Sequence, residues 1–484
     1  MNQVIDVKEK YNHFIDGKWV EPINKEYFEA YNPSTGDLLG LFARGDAEDV
    51  EVAVKSAEEG FQAWNKKKPY ERGQVLNKIA HLLREKKEDL AYLESLDTGK
   101  PLSVSRFDVE TCARYFEYMG GVADKILGEV IPASNEHLVY TEREPYGVTG
   151  HIVPWNGPIT MAGRSGAVAL AAGNSIVMKP AEQTCITTLL LAELCIEAGL
   201  PKGVFNVVTG YGSEAGEAVV NHPGIRKLTF TGSVKTGVHV AMKAAERVVP
   251  ISLELGGKSP NIVFEDADLD AAAKGAMKTF VMNSGQICCA GTRLLVQKNV
   301  MDSFVERLIE EVQTVRVGNA LEDPTIGPVV SQEQLDRIQN YISIGEKEGA
   351  EIAYGGKRLE DCQLANGYFV EPTVFKNVTN SMRIAREEIF GPVVSIIPFD
   401  TEEEAVEIAN DSEYGLAAGL WSQNIHRCHR VAKQLQAGQV YLNDYQPIGV
   451  EAPFGGYKKS GIGREKGLES IHDYTQLKTI ISKI

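Results

Sequence analysis

Positive charge is in short supply along this chain. Its 484 residues hold 50 Lys and Arg against 66 Asp and Glu, a net charge of −16. A nucleic-acid groove or an anionic membrane surface needs clustered basic residues, so neither is expected as a partner; a small molecule is. Cysteine is sparse as well. The seven present, an odd number scattered from Cys112 to Cys428, lack the paired spacing of a disulfide framework or a zinc site, which suits a reducing compartment. No metal is expected. Long apolar runs are missing: Glu193 interrupts the most apolar stretch, and the N-terminal residues lack a basic region followed by an apolar run. The expectation is a cytoplasmic protein that no membrane holds. A hydrophobic content of 43% over this length allows more than one core, so two domains with smaller excursions are expected.

Residues 1 to about 45 are polar and punctuated by Gly17, Pro22, Pro33 and Gly36, the pattern of a segment wrapping the surface. From Asp46, an N-cap residue, the spacing of Val50, Val54, Ala57, Phe61 and Trp64 predicts a helix. A second helical stripe runs from Val75 through Ile79, Leu82, Leu83 and Leu90 to Leu93, stopped at Thr98-Gly99-Lys100-Pro101. Between Ile126 and Glu144 lie two short extended runs around Pro132 and Ala133, too isolated to be stable as a lone hairpin. From Gly147 onward, apolar strands near 148–153, 175–179, 204–208, 227–231 and 250–255 alternate with helical patterns, which predicts a doubly wound parallel sheet with ligands at its carboxyl edge. A second α/β segment begins at Asn261 and continues to about Asn443.

Within the first alternating segment, Gly210, Gly212 and Ala215 fit a GxGxxA dinucleotide pattern, but no acidic residue follows at the right distance, and a plain turn fits equally well. Phe230-Thr231-Gly232-Ser233 through Gly237 is the better phosphate site, a strand end passing through glycine into a helix start with free N–H groups. In Ile251 to Lys258, Ile-Ser-Leu-Glu-Leu-Gly-Gly-Lys, the period of two sets Glu254 on the face opposite Ile251, Leu253 and Leu255; a carboxylate there needs a job or a partner. Downstream, Gly285-Gln286-Ile287-Cys288-Cys289 offers a thiol nucleophile, with Gly285 allowing backbone to approach a ligand; the plain alternative is a pair of buried hydrophobes.

The Leu-Glu-Leu-Gly-Gly-Lys and Gly-Gln-x-Cys motifs, in this order and at this separation, resemble those of the NAD(P)-dependent aldehyde dehydrogenase superfamily, in its hydrolytic, non-acylating form. The resemblance covers nearly the whole chain. It implies a Rossmann-like NAD-binding domain over 1–123 and 146–255, an α/β catalytic domain over 256–457, and a small β oligomerisation arm made of 124–145 and 470–484, joining copies into a homodimer or homotetramer. It selects Cys288 as nucleophile with Cys289 as wall, Glu254 as the base that activates water, and Asn156 as an oxyanion donor. For the cofactor it implies Val153, Pro154 and Trp155 at a strand end, Lys179 and Glu182 at the adenosine ribose, Thr231, Gly232 and Ser233 at the pyrophosphate, and Glu388 and Phe390 at the nicotinamide ribose and ring. NAD is favoured over NADP because a carboxylate at Glu182 repels a 2′-phosphate. Around the aldehyde, Ile287, Ile448 and Phe454 supply walls, Phe454 at the entrance, and Gly157 stands where many relatives place a bulky side chain, which favours aromatic or long aliphatic substrates; the equal alternative is that Gly157 only relieves the backbone beside Pro158. The chief departure lies in the helix after Asn156. Arg164-Ser165 replaces an aromatic–lysine pair, which leaves the part of Glu465 in proton transfer open. The alternatives are a coenzyme-A-acylating relative, against which Glu254 speaks, and a binding protein that kept the fold.

Overall fold

A computed structural model describes residues 7–361, 364–445 and 449–484 of the chain. In its first sheet five strands run parallel in the spatial order Ile251–Glu254, Lys227–Thr231, Val148–Val153, Ser175–Pro180 and Phe205–Val207. Helices cover both faces, which is why a strand such as Ile176-Val177-Met178 is apolar throughout and fully buried. The first of these strands in sequence, Val148–Val153, lies between the second and the fourth, so the connections leave its carboxyl end in opposite directions and open a crevice there. All five fall where the sequence alternation sets them, within a residue at either end.

The N-terminal segment does not wrap the surface. His13–Ile15 and Lys18–Val20 extend this sheet by two antiparallel strands, and Phe14 and Phe42 are 2% and 0% exposed. Its polar composition conceals an alternation in which every other residue of short strands turns inward. The helix Ala47–Asn65 begins as expected, with the Asp46 carboxylate accepting from the Glu48 N–H. The stripe from Val75 to Leu93 is two helices, Pro69–Glu85 and Lys87–Thr98, because Lys86 leaves helical geometry at φ −99°, ψ 18°. A further helix with no strong signal in the sequence, Leu102–Val122, packs on Pro158–Ala172 so closely that a Cβ on Gly163 would stand 2.5 Å from Cys112 Sγ.

The second sheet has the order Glu351–Tyr354, Thr373–Lys376, Val393–Phe399, Arg293–Gln297, Pro260–Val263, Ala417–Trp421 and Gln439–Leu442, parallel except at its first strand. The chain then returns to the first sheet: Gly461–Ile462 pairs with Ile251–Glu254, and Ile471 and Tyr474 are buried in the first core. Thr475–Lys483 ends the chain antiparallel to His137–Pro145, which also pairs with Val130–Ser134. The turn of this arm falls at Asn135-Glu136, and Pro132 and Ala133 lie inside a strand. Proline is tolerated there because Val130–Ser134 is an edge strand.

Phe14 tests the revised place of the N-terminal segment. It stacks edge-on against Trp19 at 5.5 Å, and Phe14→Ala is expected to cost on the order of 3–5 kcal/mol, seen as an earlier unfolding midpoint in denaturant. A surface-wrapping segment would give a change under about 0.5 kcal/mol.

Candidate active site

The carboxyl ends of both sheets meet at one junction, and the parallel register fixes what lies there. Lys179 pairs with Ile152, Ile152 with Phe230, and Thr231 with Glu254, so the edge carries a lysine, a glycine turn and a glutamate side by side. Past Val153, which is buried, Pro154-Trp155-Asn156-Gly157 turns into the helix Pro158–Ala172. From the other sheet, the helix Leu269–Val281 ends in Asn283, Ser284 and Gly285, all left-handed at φ 50°, 54° and 72°. Left-handed geometry costs a non-glycine residue about 1–2 kcal/mol, so something must hold this turn.

Hydrogen bonds do so. Asn283 Nδ2 donates to the carbonyls of Asn156 (3.0 Å) and Gln286 (3.3 Å), and Asn156 Nδ2 donates to the Gln286 carbonyl at 2.9 Å. Gln286, 1% exposed, donates through Nε2 to the Asn283 carbonyl and accepts from the Val330 N–H. The Gln of the motif is thus a bracket for the turn. Gly285 makes a close approach as expected, but to protein: a Cβ there would run into the backbone of Gly391 and Pro392, which stands in place of the expected ligand.

Cys288 follows this bracket and is half-buried. Its hydrogen bond with Cys289, then burial, push the thiol well above its ordinary range, while Arg164 pulls it down. Cys289 is walled in by Leu416, Ala417 and Phe454, and its carbonyl accepts from Tyr445 Oη at 2.9 Å. Glu254 is 3% exposed, and neither carboxylate oxygen has a hydrogen-bond partner among the described residues. Burial, reinforced by Glu465, raises it well above the carboxylate range, toward its neutral form.

On the cofactor side, Trp155 and Phe390 meet edge to face at 5.2 Å across the junction. Glu388 accepts from the Gly257 N–H at 3.1 Å, and burial pushes its carboxyl to about 7. Gly256 must lack a side chain because a Cβ would collide with that carboxylate. Lys258, 1% exposed with no partner for Nζ among the described residues, is pushed down to about 7 by burial, against the pull of Glu388. Ser233 caps the helix Val234–Glu246 by accepting from the Thr236 N–H, leaving the other first-turn amides without an intrahelical acceptor. A Cβ on Gly232 would stand 2.6 Å from the Phe230 ring. Lys179, 2% exposed, donates to Glu182 at 3.0 Å. The other glycine pattern runs into a helix start: Gly210 backs onto the Gly45 carbonyl, Gly212–Gly216 is a π-helical turn leading into the helix Glu217–Asn221, and Glu214 pairs with Arg44.

On the substrate side, Gly157 has φ −164°, extended backbone open to any residue, and a Cβ would meet only Met161 at 3.6 Å and Lys100 Nζ at 3.9 Å. Its smallness therefore makes room. Ile287 packs beside Cys288. Phe454 sits deeper than an entrance residue, 4% exposed and packed against the cysteine pair, because its N–H and carbonyl both bond to Glu465. Ile448 lies outside the described residues. Arg164 forms a buried ion pair with Glu465, while Ser165 Oγ turns to His151 Nδ1 at 2.9 Å. Sequence reasoning missed the brackets Asn283 and Gln286 and the unpartnered Lys258; all three carry polar groups inside otherwise apolar or glycine-rich segments, which is the one signal that could have found them.

No group of three or more His, Cys, Asp or Glu able to hold a metal occurs among the described residues, and none of their helices is long and apolar enough to cross a membrane. Comparison with known proteins gives a consistent result. The profile of the Aldehyde dehydrogenase family matches residues 19–480. A betaine aldehyde dehydrogenase of Bacillus subtilis is 43% identical over 474 residues, covering 96% of each chain. Among solved structures, the NAD+ complex of an aldehyde dehydrogenase from Bacillus cereus is 46% identical with a TM-score of 0.97, covering 99% of this chain and 98% of that one. A betaine aldehyde dehydrogenase from Staphylococcus aureus in complex with NAD+ is 42% identical with a TM-score of 0.96, covering 98% and 94%. The chain belongs to the aldehyde dehydrogenase family.

Proposed function

We propose that this protein oxidises an aldehyde to its carboxylic acid with NAD, through a thioester on Cys288. The observation that carries the reading is the junction itself: a thiol from one sheet, an unpartnered buried carboxyl at the strand end of the other, and an amide, Asn156, bonded into the thiol's own turn. The first sheet would bind the cofactor, the second would carry the nucleophile, and the arm would join copies into a homodimer or homotetramer in the cytoplasm. The apolar side chains exposed on the arm, Val130, Leu477 and Ile481, suit that last role.

The residues fit NAD by their chemistry. The capped helix start after Gly232 suits a pyrophosphate, Lys179 and Glu182 suit the adenosine ribose, and Glu388 with the Trp155–Phe390 pair suits the nicotinamide ribose and ring. Bound nicotinamide supplies the hydride acceptor. Cys288 sulfur adds to the aldehyde carbon, and the amide of Asn156, which has a second N–H beyond the one on Gln286, stabilises the alkoxide together with the Cys288 N–H, one such donor being worth about 3 kcal/mol. Loss of hydride from that carbon leaves the thioester. Glu254, once deprotonated, takes a proton from water as the water attacks the thioester; the carbon–sulfur bond breaks, releasing the acid and the Cys288 thiolate, and Glu254 passes its proton to solvent. Both Cys288 and Glu254 are held toward their neutral forms, so turnover is expected to rise with pH, as a pH–rate profile would show. Glu254 beside the thiol favours hydrolysis over transfer to coenzyme A.

A panel of aldehydes run with each cofactor tests the function. Free acid should form with reduction of NAD, with lower efficiency on NADP because Glu182 repels a 2′-phosphate; Cys288→Ala should be inactive and Cys289→Ala active. No cofactor reduction with any aldehyde, or acyl-coenzyme A as the only product, would overturn the reading. Substrate size follows from the room beside Gly157, which favours aromatic or long aliphatic aldehydes at roughly 0.8 kcal/mol per buried methylene. Gly157→Phe should lower efficiency toward benzaldehyde-sized substrates at least about tenfold more than toward acetaldehyde, since two buried methylenes are worth about that much. A uniform loss would contradict the size argument.

A further inference from the structure

Arg164 has no role in the steps above, yet it reaches the returning tail, the strand end at Thr231 and the aromatic wall at once. It lies on the helix that Asn156 and Gly157 lead into, and it is 5% exposed. Its guanidinium pairs with Glu465, donates from Nη2 to Thr231 Oγ1 at 3.4 Å, and lies 5.5 Å from the centre of the Phe454 ring. The paired backbones of Phe454 and Glu465 make the aromatic wall behind the cysteines and the carboxylate one rigid unit. Guanidinium keeps its proton throughout the working pH range, so this site holds a permanent charge where a lysine could release one.

The groups acting on the thiol come from every element around it. Cys289 on the same turn and Glu254 from the strand Ile251–Glu254 oppose ionisation of Cys288; Tyr441 and Tyr445 also couple to it electrostatically. The segment after Gly463 brings Glu465, itself paired with Arg164, and Lys466, which also couples to both cysteines. Among the principal influences on Cys288, Arg164 is the one that favours the thiolate; Lys466, whose ammonium lies 5.0 Å from the centre of the same Phe454 ring, adds to it in the same direction.

We propose that Arg164 is a positioning residue for the nucleophile: its guanidinium, held between Glu465 and the Thr231 hydroxyl against the Phe454 ring, is the fixed positive charge against which the Cys288 thiolate forms. This rests on the reading of Cys288 as nucleophile. The ion pair with Glu465 sets how much of that charge the thiol feels, and the hydrogen bond to Thr231 ties the same cation to the pyrophosphate turn. A guanidinium in this place supplies charge without taking part in proton transfer as donor or acceptor.

The test is the rate at which iodoacetamide alkylates Cys288 in the whole protein, without aldehyde or cofactor, as a function of pH, the modified residue being located by peptide fragmentation. Arg164→Met should slow alkylation at neutral pH about tenfold, the effect of one unit in the thiol pKa, and shift the profile to higher pH. Arg164→Lys should restore most of the rate. Glu465→Gln should act in the opposite direction and speed alkylation, because the guanidinium loses its counter-charge. Loss of packing alone would move Arg164→Met and Glu465→Gln the same way, and that result, or no change in either, would overturn the proposal while leaving the dehydrogenase reading intact. Failure of the unaltered protein to react at Cys288 at all would overturn both.

Discussion

The Asn156–Gln286–Asn283 hydrogen bonds join two sheets that otherwise have separate cores. The Asn283 amide donates to the carbonyls of Asn156 and Gln286, and the Asn156 amide donates back to Gln286, so the strand end of one sheet and the nucleophile turn of the other are a single structure. Three successive left-handed residues sit in that turn, two of them bearing side chains, a conformation that would relax without those bonds. The Gly285–Gly391 approach has the same consequence from the other side, since it presses the turn against the segment that carries Glu388 and Phe390. Cys288, Asn156 and Glu388 are therefore fixed to one another through backbone.

Polar groups are buried around this junction at a cost to stability. Glu254 has no partner for its carboxyl oxygens and Lys258 none for its ammonium, and both are held toward their neutral forms by burial. Packed apolar side chains of similar volume would be more stable in either place. Their retention is understandable if neutral and charged forms are both needed in a cycle. Arg164 is the exception, a buried charge that Glu465 stabilises against the penalty of burial.

Much of this was legible in the sequence, for physical reasons that differ by element. The parallel strands were readable because residues such as Ile176, Val177 and Met178 are apolar on both faces, and the helix from Ala47 because Asp46 caps it. Glu254 stood out as a carboxylate in an apolar strand, and Cys288 through the glycine and glutamine before it. The N-terminal strands were not legible, since three-residue strands such as His13–Ile15 give a period of two no length in which to show. The reason for Gly285 was misread because nothing local announces that Gly391, more than a hundred residues later, will occupy the space a side chain would need. The Arg164–Glu465 pair spans the first sheet's helix and the returning tail, a pairing that only the folded chain can make.

The thioester on Cys288 is the claim on which the rest of the chemistry depends, and one measurement reaches it directly: the intact mass and peptide map of Glu254→Gln protein quenched in acid after exposure to aldehyde and NAD. The expected result is an acyl group, the mass of the aldehyde less two hydrogens, on the peptide holding Cys288, accumulating with a stoichiometric burst of reduced cofactor because the water-activating carboxylate is gone. Continued turnover at the unaltered rate, with Cys288 unmodified, would contradict it.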